Sequence, residues 1–248
     1  MAELNLVRLP TIVAEKAKAF IEEILKKYSE NIHSVHIVGS AVTEDFNEKT
    51  SDINSVFVLK RMDLKFIELI APFGKRYKKK GIAAPLIMTP DYIHSSLDVF
   101  PIEFLDFKLV HQTIYGDDIL STVDIKMDDL RYQCEREIKS KLIWLRQAYL
   151  SSQGNRKLII EQFSSSISGY MPLFRGIIFL MGREIPIKKH DVIATLSVAT
   201  GVNTDIFDKV LNIKKGTLKP KTDELETVFE NYYEATEKIG RLIDEHKI

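Results

Sequence analysis

The sequence predicts an α+β protein: a mixed β-sheet flanked by helices, followed by an α-helical bundle. Three observations carry this. Short apolar runs of strand character recur at residues 35–38, 55–59, 83–88 and 100–107. Amphipathic helical patterns lie between or before them, at 11–28 and 63–74. From Asp128 onward the apolar spacing is helical throughout, and short connections between antiparallel helices indicate a bundle. The boundary is expected within residues 116–126, giving domains 1–122 and 123–248.

Taken in order, Thr11 can cap a helix over 11–28, with Ile12, Val13, Phe20, Ile21, Ile24 and Leu25 on one face. Residues 35–38 read as a buried strand that ends on Gly39 and Ser40. After a polar connection, a second strand is expected over 52–59. It opens with Asp52 and Asn54, which share one face because side chains alternate, while Ile53 turns to the core. Gly39 allows the backbone to approach a phosphate closely, and a short helix starting at Ser40 would add free amides. The plain alternative is a turn glycine followed by a capping serine.

Asp63 caps the next helix, which has Phe66, Ile67, Leu69, Ile70 and Phe73 on its apolar side and ends near Gly74. The run Lys75-Arg76-Tyr77-Lys78-Lys79-Lys80 offers cations to phosphate and Tyr77 for stacking. The favoured reading is a solvated helix end, where cations suit the helix dipole. Residues 83–88 read as a third strand and 89–91 as the start of a short helix. Residues 100–107 read as a fourth strand, with Glu103 and Asp106 on opposite faces. Residues 111–118 read as a loop or short helix around Gly116. His111 can shuttle a proton there, although a lone histidine is more often structural. The later helices are expected over about 128–154, 156–180 with a kink at Pro172, 189–200, 204–211 and 223–245.

Composition narrows the class. The chain has 248 residues, 45% of them apolar and 28% charged, the balance of a soluble globular protein. Its 35 basic and 35 acidic residues cancel, which argues against a surface built to coat nucleic acid. The single cysteine, Cys134, excludes an internal disulfide framework and a cysteine-rich zinc site. No signal pattern opens the chain and no apolar run reaches membrane-spanning length. A cytoplasmic protein without a membrane partner is expected.

An apolar strand, Gly39-Ser40, a polar spacer and then Asp52-Ile53-Asn54 resembles the nucleotidyltransferase superfamily of the DNA polymerase β type. That family's motif is Gly-Ser followed by carboxylate-apolar-carboxylate. The likeness covers roughly residues 11–120 and, more loosely, the helical remainder; small-substrate members carry a helical C-terminal domain that closes over the acceptor. The resemblance implies a nucleoside triphosphate and Mg2+ as cofactors, with Gly39 and Ser40 on the phosphates. It implies Asp52 and Asn54 on the metal, and a third carboxylate on a later strand that activates the attacking hydroxyl. Glu103 is the first candidate for that carboxylate, completing a catalytic and metal set of Asp52, Asn54 and Glu103, and Asp106 is the second.

Asn54 departs from the family's pattern. An amide oxygen can ligate a cation but adds no charge and bridges two cations poorly, whereas two-metal transfer relies on carboxylates. The sequence leaves open whether the chain forms a homo-oligomer. Two functions follow. One is Mg-dependent transfer of a nucleoside monophosphate to an acceptor, whether a small molecule, a protein or an RNA end. The other is a catalytically degenerate homologue that binds a nucleotide or a partner. Gly39-Ser40, Asp52 and the acids of 100–107 favour the first; Asn54 favours the second.

Overall fold

The computed structural model describes residues 3–221 and 224–246. Helix α1 (Thr11–Tyr28) buries Val13, Ala17, Phe20, Ile21, Ile24 and Leu25, spaced as one helical face requires. Its cap is Pro10; Thr11 is the first helical residue and makes no side-chain cap. Strands β1 (Ile32–Val38) and β2 (Asn54–Leu59) pair antiparallel, with Val38 opposite Asn54 and His36 opposite Val56. Helix α2 (Leu64–Lys78) is capped by Asp63, whose carboxylate accepts from the Lys65 amide at 2.9 Å. It continues past Gly74, so Lys75, Arg76 and Lys78 form its last turn, where they suit the helix dipole. Tyr77 is buried and its hydroxyl donates to Glu23 at 2.6 Å. It is a core residue and has no face to offer a base.

Strand β3 (Leu86–Met88) lies parallel to β2, shorter than the run expected over 83–88, with a bridge between Ile53 and Ile82 extending the pairing. Helix α3 (Pro90–Ser95) follows Thr89, whose hydroxyl accepts from the Tyr92 amide at 3.2 Å.

The structure corrects the reading of the next two segments. Residues 100–107 are not a strand; from Pro101 on they belong to helix α4 (Pro101–Leu109). Pro101 occupies the first helical position, where its fixed φ is already suitable and its missing amide costs nothing. Phe104 and Leu105 are adjacent and both buried, which a two-residue period forbids. The fourth strand is instead β4 (His111–Gly116), where the sequence predicts a loop or short helix; it pairs antiparallel with β1. The sheet order is β3-β2-β1-β4. One face packs on α1 and α2 through Val35, Ile37, Ile53, Phe57 and Ile114.

The remainder is helical: α5 (Met127–Ser151), α6 (Arg156–Ser166), α7 (Tyr170–Leu180), α8 (Lys189–Thr200), α9 (Asp205–Lys215) and α10 (Leu225–Glu245). Helix α5 packs on α7 and α10. Tyr170, Phe174, Phe207 and Tyr232 form an aromatic cluster at its centre. The single kinked helix expected over 156–180 is two helices separated by a 3-10 turn at Ile167–Gly169. Pro172 falls in the first turn of α7, where it breaks no hydrogen bond. The expected start of the last helix, Asp223, lies outside the described residues.

Contacts divide the chain into two units. One holds residues up to Asp98 together with Phe104–Asp124; the other holds Val99–Glu103 and the residues from Ile125 onward. Among the described residues, no helix is long and apolar enough to cross a membrane.

Gly116 closes β4 with φ +73, and a Cβ there would lie 2.0 Å from the His33 carbonyl oxygen. Gly39 has φ +72, but its Cβ would meet nothing nearer than Asn54 Nδ2 at 4.0 Å. A left-handed non-glycine residue costs roughly 1–2 kcal/mol at either position. Urea unfolding should therefore show a larger loss for Gly116→Ala, which adds a backbone overlap, than for Gly39→Ala. Equal losses would show that the β4 end relaxes away from His33.

Candidate functional site

Strand β1 is paired on both edges, so it sets which side chains meet. Its register places Asn54, Val38 and His111 in one row across three strands, and Val56, His36 and Thr113 in the next. Residues opposite each other in a sheet share a face, and neighbours along a strand alternate. Ile37, between the two rows, belongs to the core with α1 and α2. Asn54, His36, His111 and Thr113 therefore all face away from those helices.

Where β1 ends, the chain turns through a 3-10 segment, Gly39–Val42. The Gly39 amide donates to the Val110 carbonyl at 2.9 Å, and its Cα stands beside the Asn54 side chain. The helix expected to begin at Ser40 is only this one turn. The Ser40 carbonyl accepts from the Thr43 amide at 3.0 Å and the Thr43 hydroxyl at 3.1 Å. Asp52 precedes β2 proper. Ile53 is buried and bridged to Ile82, while Asp52 and Asn54 on either side are exposed. Gly39, Ser40, Asp52 and Asn54 thus lie at one end of the sheet, with the glycine turn against the amide.

Glu103 is placed differently from the sequence reading. It is not a strand residue; it sits in the first turn of α4, in the unit that contains α5. Its carboxylate accepts from Gln133 Nε2 at 2.7 Å, and Gln133 Oε1 accepts from the Ile102 amide at 2.6 Å. Asp106 is on the same helix, so the argument from opposite strand faces applies to neither acid. The strand that flanks β1 is β4, and its residues on the site's face are His111 and Thr113, neither a carboxylate.

A cluster on this face is absent from the sequence reading: His36, His111 and Asp118, with one ligand atom from each lying within 4.8 Å of the others. His111 Nε2 is 2.7 Å from Asp118 Oδ1. The two imidazoles meet edge to face, with centroids 5.7 Å apart. His36 is fully buried, with Ser34 Oγ at 2.8 Å from Nε2 and Thr113 Oγ1 at 2.9 Å from Nδ1. The available signal was His36 itself, a titratable residue in the middle of an apolar strand. Burial, aided by the neighbouring His111, pushes its pKa down to about 4. Burial works to raise the Asp118 carboxyl, but the hydrogen bond from His111 leads the contacts that hold it below the usual range.

The His36 shift fixes a pH dependence. A buried histidine with a depressed pKa is protonated first in the unfolded chain. Stability is therefore full above about pH 6.5 and is lost as pH falls toward about 4, by about 3 kcal/mol in total. Asp118, with its lowered carboxyl, acts further down. Urea midpoints measured across this window in chelator-containing buffer should fall for the wild type and stay flatter for His36→Gln. An unchanged slope in that variant would assign the loss to other groups.

No protein-family model matches the sequence, and no curated protein matches it. A solved structure does match: the spectinomycin adenyltransferase AAD(9) from Enterococcus faecialis, determined with ATP and spectinomycin. It aligns over 92% of this chain and 98% of its own, at 14% sequence identity and a TM-score of 0.52. Likeness at that identity is a likeness of architecture. The chain has a nucleotidyltransferase-like fold.

Proposed function

We propose that the sheet-bearing unit binds a magnesium-bound nucleoside triphosphate at Gly39, Ser40, Asp52 and Asn54, and moves its nucleoside monophosphate onto an acceptor. The observation that supports this most is the Gly39-Ser40 turn set against Asn54, with Asp52 exposed at the same end of the sheet. The shared fold with an enzyme determined with ATP adds to it. Gly39 would let the backbone close on a phosphate oxygen, and the Ser40 hydroxyl would donate to one. Asp52 offers a charged oxygen and Asn54 a neutral one. That donor set suits a single Mg2+, which takes hard oxygen ligands and commonly only one or two protein carboxylates, with phosphate oxygens completing the shell. It does not suit two. When bound, the ion offsets the triphosphate's charge.

In the transfer, the acceptor oxygen bonds to the α-phosphorus. The bond from that phosphorus to the oxygen bridging to the β-phosphate breaks, pyrophosphate leaves with the bonding electrons, and the acceptor's hydroxyl proton passes to solvent. The contribution of this chain's residues is positioning. A small-molecule acceptor is the first class to test, ahead of a protein or an RNA end, because the matched structure was determined with spectinomycin. Residues 1–122 would then handle the nucleotide and 123–248 the acceptor.

A second reading has its own support. Asn54 on β2 and His111 and Thr113 on β4 stand where the chemistry would draw on carboxylates. The protein would then bind a nucleotide, or a partner, without transferring anything.

Calorimetry with a panel of nucleoside triphosphates, with and without Mg2+, tests the site. Magnesium-dependent binding is expected, weakened at least about tenfold, or 1.4 kcal/mol, in Asp52→Ala. Asn54→Asp should strengthen it by adding charge. Pyrophosphate release with candidate acceptors separates transfer from binding alone. If no triphosphate binds under any condition, the nucleotide reading is wrong.

A further inference from the structure

We propose that His36, His111 and Asp118 form a binding site for a divalent transition-metal ion of the zinc class, separate from the magnesium–nucleotide site. The inference does not depend on the nucleotide reading. It rests on three features of the cluster.

The first is the donor set. Two imidazoles and a carboxylate, with ligand atoms within 4.8 Å of one another, match the three protein ligands of zinc sites that keep a fourth position open. Imidazole nitrogen favours zinc, cobalt and nickel over magnesium. The second is an unmet need. The His111 side chain is 8% exposed, yet its Nδ1 is buried with no hydrogen-bond partner among the described residues. A buried ring nitrogen left alone carries a desolvation cost that a ligand would remove. With Nδ1 on the ion, Asp118 exchanges its contact with Nε2 for one with the ion to serve as the third ligand.

The third is orientation and access. Ser34 and Thr113 hold the His36 ring from its two sides. One hydroxyl can rotate off to free a nitrogen while the other keeps the ring in place. A cavity of about 600 Å3, lined by residues including Asn5, Arg8, Thr113, His111 and Asp118, leads to the cluster. Asn54 and His111 lie two strands apart in one row, so their backbones are separated by roughly 10 Å. An ion at His111 is thus distinct from one held by Asp52.

The test uses the full chain after chelator treatment. Titrated Co2+ should develop visible d–d absorption that saturates at one equivalent, and Zn2+ should abolish it by displacement. Mg2+ should do neither. His111→Ala and Asp118→Asn, checked for native circular dichroism, should each weaken Zn2+ binding by at least about 100-fold. That is at or above the top of the usual 10- to 100-fold cost of losing an outer-shell partner. Asp52→Ala should leave Zn2+ binding unchanged even if it abolishes nucleotide binding, so the two assignments fail separately. The proposal is overturned if no stoichiometric Co2+ spectrum forms. It is equally overturned if Zn2+ binding survives in both cluster variants, which would place the ion on other histidines such as His33 or His190, or if Asp52→Ala removes it.

Discussion

The register of β1 is the constraint on which the rest of the sheet-bearing unit depends. Because β1 is paired on both sides, one slip of a single residue would turn Ile37 away from the helices and His36 into them. The buried set of Val35 and Ile37 against α1 and α2 prevents that slip. The same register sets Gly39 against Asn54 and His36 beside Thr113. On β4, Ile114 has no partner between the Val35–Tyr115 and His36–Thr113 pairs. The extra residue leaves both Ile114 and Tyr115 against the core with α1 and α2, while Thr113 and His111 keep the other face.

The face so assembled is polar but carries little charge. His36 is neutral at neutral pH, and its two ring nitrogens are matched by hydroxyls rather than ions. Buried polar groups are tolerated when they are bonded in this way. Among the residues discussed, fixed negative charge lies at the exposed Asp52 and Asp118. Arg8 in the cavity beside His111 and Asp118 is the one cation discussed near that face, so a strongly anionic ligand would draw on it or bring a cation with it. That is consistent with a sheet whose chemistry depends on what it recruits.

Much of the architecture was legible in the sequence, because it rests on local period. The α1 face, the Asp63 cap and the helices of the second half follow from spacing, except that the break at Ile167–Gly169 divides the one expected over 156–180. The turn at Gly39 and the alternation of Asp52, Ile53 and Asn54 did too. Two segments were not. In 100–107, Ile102 and Phe104 alternate as a strand would, and only the buried Phe104–Leu105 pair reveals the helix. In 111–116, Gln112 and Ile114 point inward and polar residues point out, which gives no apolar run to read. The His36–His111–Asp118 cluster was invisible for a different reason. It exists only once β4 has paired with β1, and pairing over so long a separation leaves no mark on either segment.

That long separation also orders the events of folding. The β1–β2 ladder closes over residues 39–53, whereas the β1–β4 ladder must close over residues 39–110. Loop-closure entropy rises with length, and distant strand pairings form late. The Gly39 turn and its strand partner can thus be native-like in a chain that has not yet docked β4. Until that pairing forms, His36 lacks the hydroxyl of Thr113 as a partner. Pairing with β4 brings Thr113 to the His36 ring, so the last pairing of the sheet also completes the hydrogen bonds of this imidazole.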